Sequence, residues 1–191
     1  MCYTKIQTLK YKNFFMFENI DIPPAHIQSN TRHEFSSKLI NYIKNTENGV
    51  KKGYKNGKWY PYASIEGGSP TIGYGHKLTG NEVSQFRNGI SDKDVETLLV
   101  QDLKVAKNKV YNDIKHMFNV NIPTLDQHKE EMLIDFAYNL GTIKQFPKFV
   151  RAVLVGDWKS ASKQYKRTAT DKHGKKIELA RNKSFFNTFL K

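Results

Sequence analysis

Apolar residues return at three- and four-residue intervals over most of the chain, and this periodicity divides it into helices separated by one short section that reads differently. From Glu34 onward Phe35, Leu39, Ile40 and Ile43 fall on one face, and Asn48-Gly49 supply residue types that commonly end a helix. Glu47 is therefore expected in the last turn of a first helix. Ser91 and Asp94 resemble a capping box with Asp in place of the usual Glu. The recurrence of Val95, Leu99, Leu103, Ala106, Val110 and Ile114 behind them predicts a long helix of about six turns. Thr124 with Gln127 is a second box, opening a helix whose Leu125, Met132, Leu133, Phe136 and Leu140 form an apolar stripe ended by Gly141. Pro147 to Gly156 bounds another helix. "DWKSASKQYK" reads as a shorter helix, "TDKHGKK" as a polar turn and "IELARNKSFFNTFL" as the last helix.

Between Gly49 and Leu78 the helical period is lost. Glycines and aromatics in "KNGKWY", "EGG" and "TIGYGH" suggest short strands joined by tight turns, and Asn56-Gly57 is a strong two-residue hairpin signal. The expected architecture is α+β: a small antiparallel sheet lobe and a mainly helical lobe, with a ligand cleft between them. Residues 1–30 mix aromatics and lysines without a sustained period and end near Pro23-Pro24. They are read as an N-terminal extension of unknown role, and residues 31–191 as one domain.

Composition narrows the classes. A chain of 191 residues with 38% hydrophobic and 13% aromatic residues is neither disordered nor fibrous. No apolar run approaches the roughly 18 residues of a membrane span, and the N-terminus lacks the h-region of a secretory signal. The single cysteine, Cys2, rules out an internal disulfide framework and fits a reducing compartment. The formal charge of +13 implies either an anionic partner or simply a solvated basic surface. Nucleic-acid signatures and blocked basic arms are missing.

The candidates for chemistry are Glu47, Glu66, Thr71 and His76. A carboxyl group at a helix C-terminus meets the negative end of the dipole, which favours the neutral acid that general acid catalysis needs. Cleavage of a glycosidic bond uses such an acid on the leaving oxygen and a second polar or ionised group on the other face of the sugar. Each residue also has a structural reading: Glu47 as a solvated helix-end charge, Glu66 as a turn residue, the glycines as packing devices, and His76 as a structural histidine. No second His or Cys at ligand spacing accompanies His76, so neither a metal nor another cofactor is expected.

"ENG" at Glu47 to Gly49, followed by "TIGYGHKL" at Thr71 to Leu78, resembles the catalytic section of phage-type lysozymes, the glycoside hydrolase family 24 muramidases. "FAYNLG" at Phe136 to Gly141 looks like that family's cleft-lining helix, and "ELARNKSFF" like its closing segment. The resemblance covers roughly Phe35 to Leu190. It implies that Glu47 is the general acid, that Thr71 positions water, that His76 is structural, that Arg181 partners Glu47, and that Tyr138 and Asn139 contact sugar. The family's aspartate before the threonine has no counterpart here. Alignment from the tyrosine puts Ser64 at its position, and chemistry favours Glu66, whose charge can stabilise an oxocarbenium-like transition state.

The implied activity is a monomeric muramidase acting on bacterial peptidoglycan in phage-mediated lysis or wall penetration. It would be made in the host cytoplasm, with residues 1–30 available to dock on virion proteins. Two alternatives stand beside it: a lytic transglycosylase using Glu47 alone, and a non-catalytic wall-binding or virion module.

Overall fold

A computed structural model describes residues 34–64, 68–170 and 174–191. Helix α1 (Ser37–Asn48) starts three residues beyond the expected Glu34, because Ser36 is the cap and accepts a hydrogen bond from the Leu39 N–H. The Glu131 carboxylate takes both the Ser36 N–H (2.8 Å) and its hydroxyl (2.7 Å), pinning that start to the helical core. At the other end Gly49 is right-handed rather than left-handed. The terminus is closed instead by Asn48, whose side chain accepts the Lys52 N–H and donates to the Lys52 carbonyl.

Two hairpins follow, β1 (Tyr54–Lys55) with β2 (Lys58–Trp59) and β3 (Thr71–Ile72) with β4 (His76–Lys77). Asn56 and Gly57 both have positive φ, as a primed two-residue turn requires. The hairpins are separate two-stranded pairs rather than one sheet. Isolated bridges of Tyr62 to Thr71 and of Trp59 to Ile90 hold the lobe together. A short helix α2 (Glu82–Gln85) leads to α3 (Asp92–Phe118), 27 residues long and thus longer than expected. Its capping box at Ser91 and Asp94 is fully formed.

Helix α3 joins the lobes. Its Val95 packs with Trp59, Ile72 and Leu78 under the hairpins, while Leu99 to Phe118 enter the main core. Helix α4 (Gln127–Leu140) is capped by Asp126, not Thr124. It is buried on every side from Glu130 to Ala137, not along a single stripe. Helix α5 (Pro147–Val155) packs beside it, and α6 (Trp158–Gln164) packs on α5.

The chain end departs most from expectation. The segment read as a polar turn and the start of a helix contains a third hairpin, β5 (Thr168–Thr170) with β6 (Lys176–Glu178). The final helix is then only α7 (Arg181–Phe185), continued by a π-helical turn over Phe186–Leu190. The α+β, lysozyme-like architecture of a small strand lobe beside a helical lobe is nevertheless present.

Candidate active site

Glu47 sits in the last turn of α1 with its side chain 20% exposed. Arg181, at the start of α7, donates from Nη1 to Glu47 Oε1 and from Nη2 to Asp135 Oδ1. The other oxygen of Asp135 accepts from Arg167 Nη2 at 2.8 Å, and Arg167 Nη1 donates to Asn139 Oδ1 at 3.3 Å. A chain of alternating charge therefore runs from Glu47 through Arg181 and Asp135 to Arg167. The planar fork of Arg181 suits it to bridge two carboxylates in fixed geometry. Burial works against the charge of Arg181, but Asp135 and Glu47 outweigh it and hold the guanidinium above its ordinary pKa.

The strand lobe reaches the same place from the other side. Asn48, next to Glu47, donates to the Gly73 carbonyl at 2.7 Å, so the end of α1 is bolted to the backbone two residues beyond Thr71. Thr71 is buried, at 6% exposure. It exchanges both backbone hydrogen bonds with Tyr62, at 2.8 and 2.9 Å. The Tyr62 hydroxyl donates to the Gly73 carbonyl at 3.1 Å. Its pKa is raised by burial, eased by hydrogen bonding to the Thr71 side chain and raised further by the charge of Glu47. Glu47, Tyr62 and Thr71 thus share one electrostatic neighbourhood. Lys52 ties the following loop to α1 through the Ala63 carbonyl (3.2 Å) and lies 5.1 Å from the Tyr62 ring centroid. Ser64 is half-buried at the end of this loop. Glu66 lies outside the described residues.

Other expected residues have internal partners. His76 Nδ1 is 2.9 Å from Asp102 Oδ2 on α3, and Nε2 is 3.4 Å from Glu82 Oε1 on α2, so the ring joins β4 to two helices. The bond to Asp102 raises its pKa, against the opposing effect of burial. Tyr138 donates its hydroxyl to the Tyr74 carbonyl at 2.8 Å, clamping α4 to the β3–β4 turn. Burial, with the charges of Asp102 and Glu47, raises its pKa well above the ordinary value. Asn139 accepts from Arg167, as described above. Both residues therefore carry structural bonds at the positions expected to meet sugar.

Asp135, Arg167, Asn48 and Tyr62 belong to this neighbourhood and were missed from sequence. The available signal was "LIDFAYN", where an aspartate interrupts the most apolar stretch of α4; a carboxylate there needs a buried cation. Among the described residues no three His, Cys, Asp or Glu side chains gather as metal ligands. Nor is any described helix long and apolar enough to cross a membrane.

The phage lysozyme family model matches residues 52–183, a span that contains Thr71, His76, Asp135, Arg167 and Arg181. It begins five residues after Glu47, which is linked to the matched region by Arg181 and Asn48. No curated protein matches the chain. With more than half of its length covered by that model and a two-lobed α+β fold around the Glu47–Arg181 pair, the chain belongs to the phage lysozyme family of peptidoglycan-lytic, lysozyme-type hydrolases.

Proposed function

We propose that the protein is a muramidase hydrolysing the β-1,4 bond between N-acetylmuramic acid and N-acetylglucosamine, with Glu47 as general acid. The observation that carries this reading is the placement of Glu47 between the two lobes, oriented by Arg181 and joined through Asn48 to the strand of Thr71. Glu47 delivers a proton to the glycosidic oxygen as the bond to the sugar's anomeric carbon breaks. Arg181 engages Oε1, which fixes the carboxyl plane and leaves Oε2 outside that pair for the leaving oxygen. Asp135 shares the charge of Arg181, so Glu47 does not face an unshared cation. Thr71 orients the attacking water, and Glu66, with Ser64 as the other candidate, offsets the positive charge that develops on the ring. Tyr138 and Asn139 line the helical side and contact sugar through atoms left outside their internal bonds.

The strongly basic surface, +13 overall, suits an anionic wall, and binding to it weakens with salt. The same reading puts the enzyme to work in phage-mediated lysis or wall entry, made in the host cytoplasm, with residues 1–30 as a docking arm for virion proteins. Mass spectrometry of soluble products from purified peptidoglycan tests the chemistry. Reducing-end muropeptides, abolished in Glu66→Gln but retained in Ser64→Ala, support hydrolysis with Glu66 as second carboxylate. Anhydro products unaffected by Glu66→Gln would replace the reading with a transglycosylase, and no products from wild type would leave a wall-binding module.

A further inference from the structure

Among the described residues three buried side-chain polar atoms have no hydrogen-bond partner: Nε of Arg167, the hydroxyl of Tyr42 and Nε of Arg181. The Arg167 guanidinium is packed on the Phe136 and Phe185 rings. The other two atoms belong to one contact. Tyr42 lies on α1 five residues before Glu47 and is 6% exposed. The guanidinium carbon of Arg181 stands over its ring, 5.6 Å from the centroid, and Phe189 meets the same ring edge-on, with centroids 5.2 Å apart. Burial first, and then the charge of Asp135, raise the pKa of the Tyr42 hydroxyl to about 12, against the charges of Arg181 and Arg167 and a hydrogen-bonding approach of Arg181. That approach leaves the hydroxyl without a formed bond. A phenylalanine would fill the same space, and a buried polar group without a partner costs free energy, so the hydroxyl calls for a role. Both side chains also line a groove of about 710 Å3 along α1 and α7, with ample room for water.

We propose that Tyr42 is a positioning residue for the reaction: its ring backs the Arg181 guanidinium, and its hydroxyl shares one bridging water with Arg181 Nε. A water is held in place by two or more polar partners. The hydroxyl, a donor and an acceptor, and the Nε–H, a donor, supply them. Each of the three guanidinium nitrogens then has its own partner. Nη1 goes to Glu47 and Nη2 to Asp135 on α4, and Nε goes through the water to Tyr42. Two partners leave the guanidinium plane free to rock about the line that joins them, and the third stops it. Tyr42 and Glu47 stand on the same helix, about 7.5 Å apart along its axis, so Arg181 is registered against α1 at two points and meets the acid at one angle. Tyr42 acts on Glu47 only through Arg181. Its effect on turnover rests on the muramidase reading above; its contact with Arg181 does not.

The test is Tyr42→Phe in the full chain, with Tyr42→Leu to remove the ring as well. Three quantities are read: kcat and KM for the release of reducing ends from purified peptidoglycan, the denaturant midpoint, and the order parameter of the Arg181 Nε–Hε group, whose NMR signal is assigned by its loss in Arg181→Lys. For Tyr42→Phe, kcat is expected to fall about three- to tenfold with KM unchanged, the scale of one hydrogen bond. The Arg181 order parameter should fall with it, and the midpoint should not rise. Tyr42→Leu should lower kcat further. An idle hydroxyl gives the opposite result: Tyr42→Phe with a raised midpoint, because the unpartnered group is gone, an unchanged Arg181 order parameter and the wild-type kcat. That result would overturn the proposal. A change confined to KM would overturn it too, since it would put Tyr42 against the substrate and not behind Arg181. If wild type releases no reducing ends, the muramidase reading fails, and the Arg181 order parameter and the midpoint still decide the role of Tyr42.

Discussion

Arg167 and Asp135 form an ion pair sealed from solvent, with Nη2 2.8 Å from Oδ2 and side chains 1% and 0% exposed. The Arg167 guanidinium carbon lies 4.1 Å from the Phe136 ring centroid and 5.0 Å from that of Phe185, and its backbone is bonded on both sides by the Asn182 amide. Asp135 then holds Arg181, and Arg181 holds Glu47. The Glu47 carboxylate is therefore held from the helical core, through Arg181 and Asp135 to Arg167.

Breaking a buried pair by removing one partner costs about 3–5 kcal/mol, because the other charge is left uncompensated. Arg167→Met is expected to lose stability of that order in denaturant titration. It should also lower activity at temperatures where the variant remains folded, since Asp135 would no longer be held on both sides.

Arg181→Lys tests the fork itself. An ammonium cannot reach Glu47 and Asp135 with the spacing of two guanidinium nitrogens. A fall in kcat of about 100-fold is expected, the scale of an ångström-sized misplacement of a catalytic group, with KM little changed.

The glycines of "TIGYGH" are not equivalent. Gly73 has φ +61°, and a Cβ added there would lie 2.4 Å from Val95 Cγ1. Gly75 has φ +103° but its nearest neighbour, the Tyr138 hydroxyl, is 3.9 Å away. Both alanine variants carry backbone strain of about 1–2 kcal/mol. Gly73→Ala adds a clash with a stiff β-branched side chain, so it should unfold at lower denaturant than Gly75→Ala and disturb Thr71 two residues before it.

His76 makes the lobe contact depend on pH. Its folded pKa is raised above the ordinary 6.5, chiefly by the bond to Asp102. The stabilisation is therefore complete below that value and is lost as pH rises through the raised folded pKa. Wild type should lose stability over that interval relative to His76→Gln, measured by denaturant midpoints on either side of neutrality.

Local signals in the sequence were most readable where one residue has one conformational use. Asn56-Gly57, Ser91 with Asp94, Gly141, and Pro147 with Gly156 all occupy the turns, caps and helix starts their chemistry suggests. Thr124 failed as a cap because Asp126, two residues on, offers an equally good acceptor and is the one bonded to the Lys129 N–H. The β5–β6 hairpin left little trace, since its strands are three residues long and mostly exposed, with no buried alternating face. The active-site neighbourhood was half legible. Glu47, Thr71 and Arg181 followed from the motif resemblance, and their linkage through Arg181 and Asn48 is present. Asp135 and Arg167 were hidden because a periodicity count treats charged residues as surface, whereas here they pair with each other inside the core.

The central claim is that Glu47 supplies the proton that cleaves the glycan. The most direct measurement is the release of new reducing ends from purified peptidoglycan by Glu47→Gln, beside wild type, with unfolding midpoints confirming that both are folded. Glutamine keeps the shape and a hydrogen-bond acceptor for Arg181 but cannot donate the acid proton. Loss of general acid catalysis is expected to lower the rate by at least about 100-fold. Reducing ends released by a folded Glu47→Gln at the wild-type rate would contradict the account.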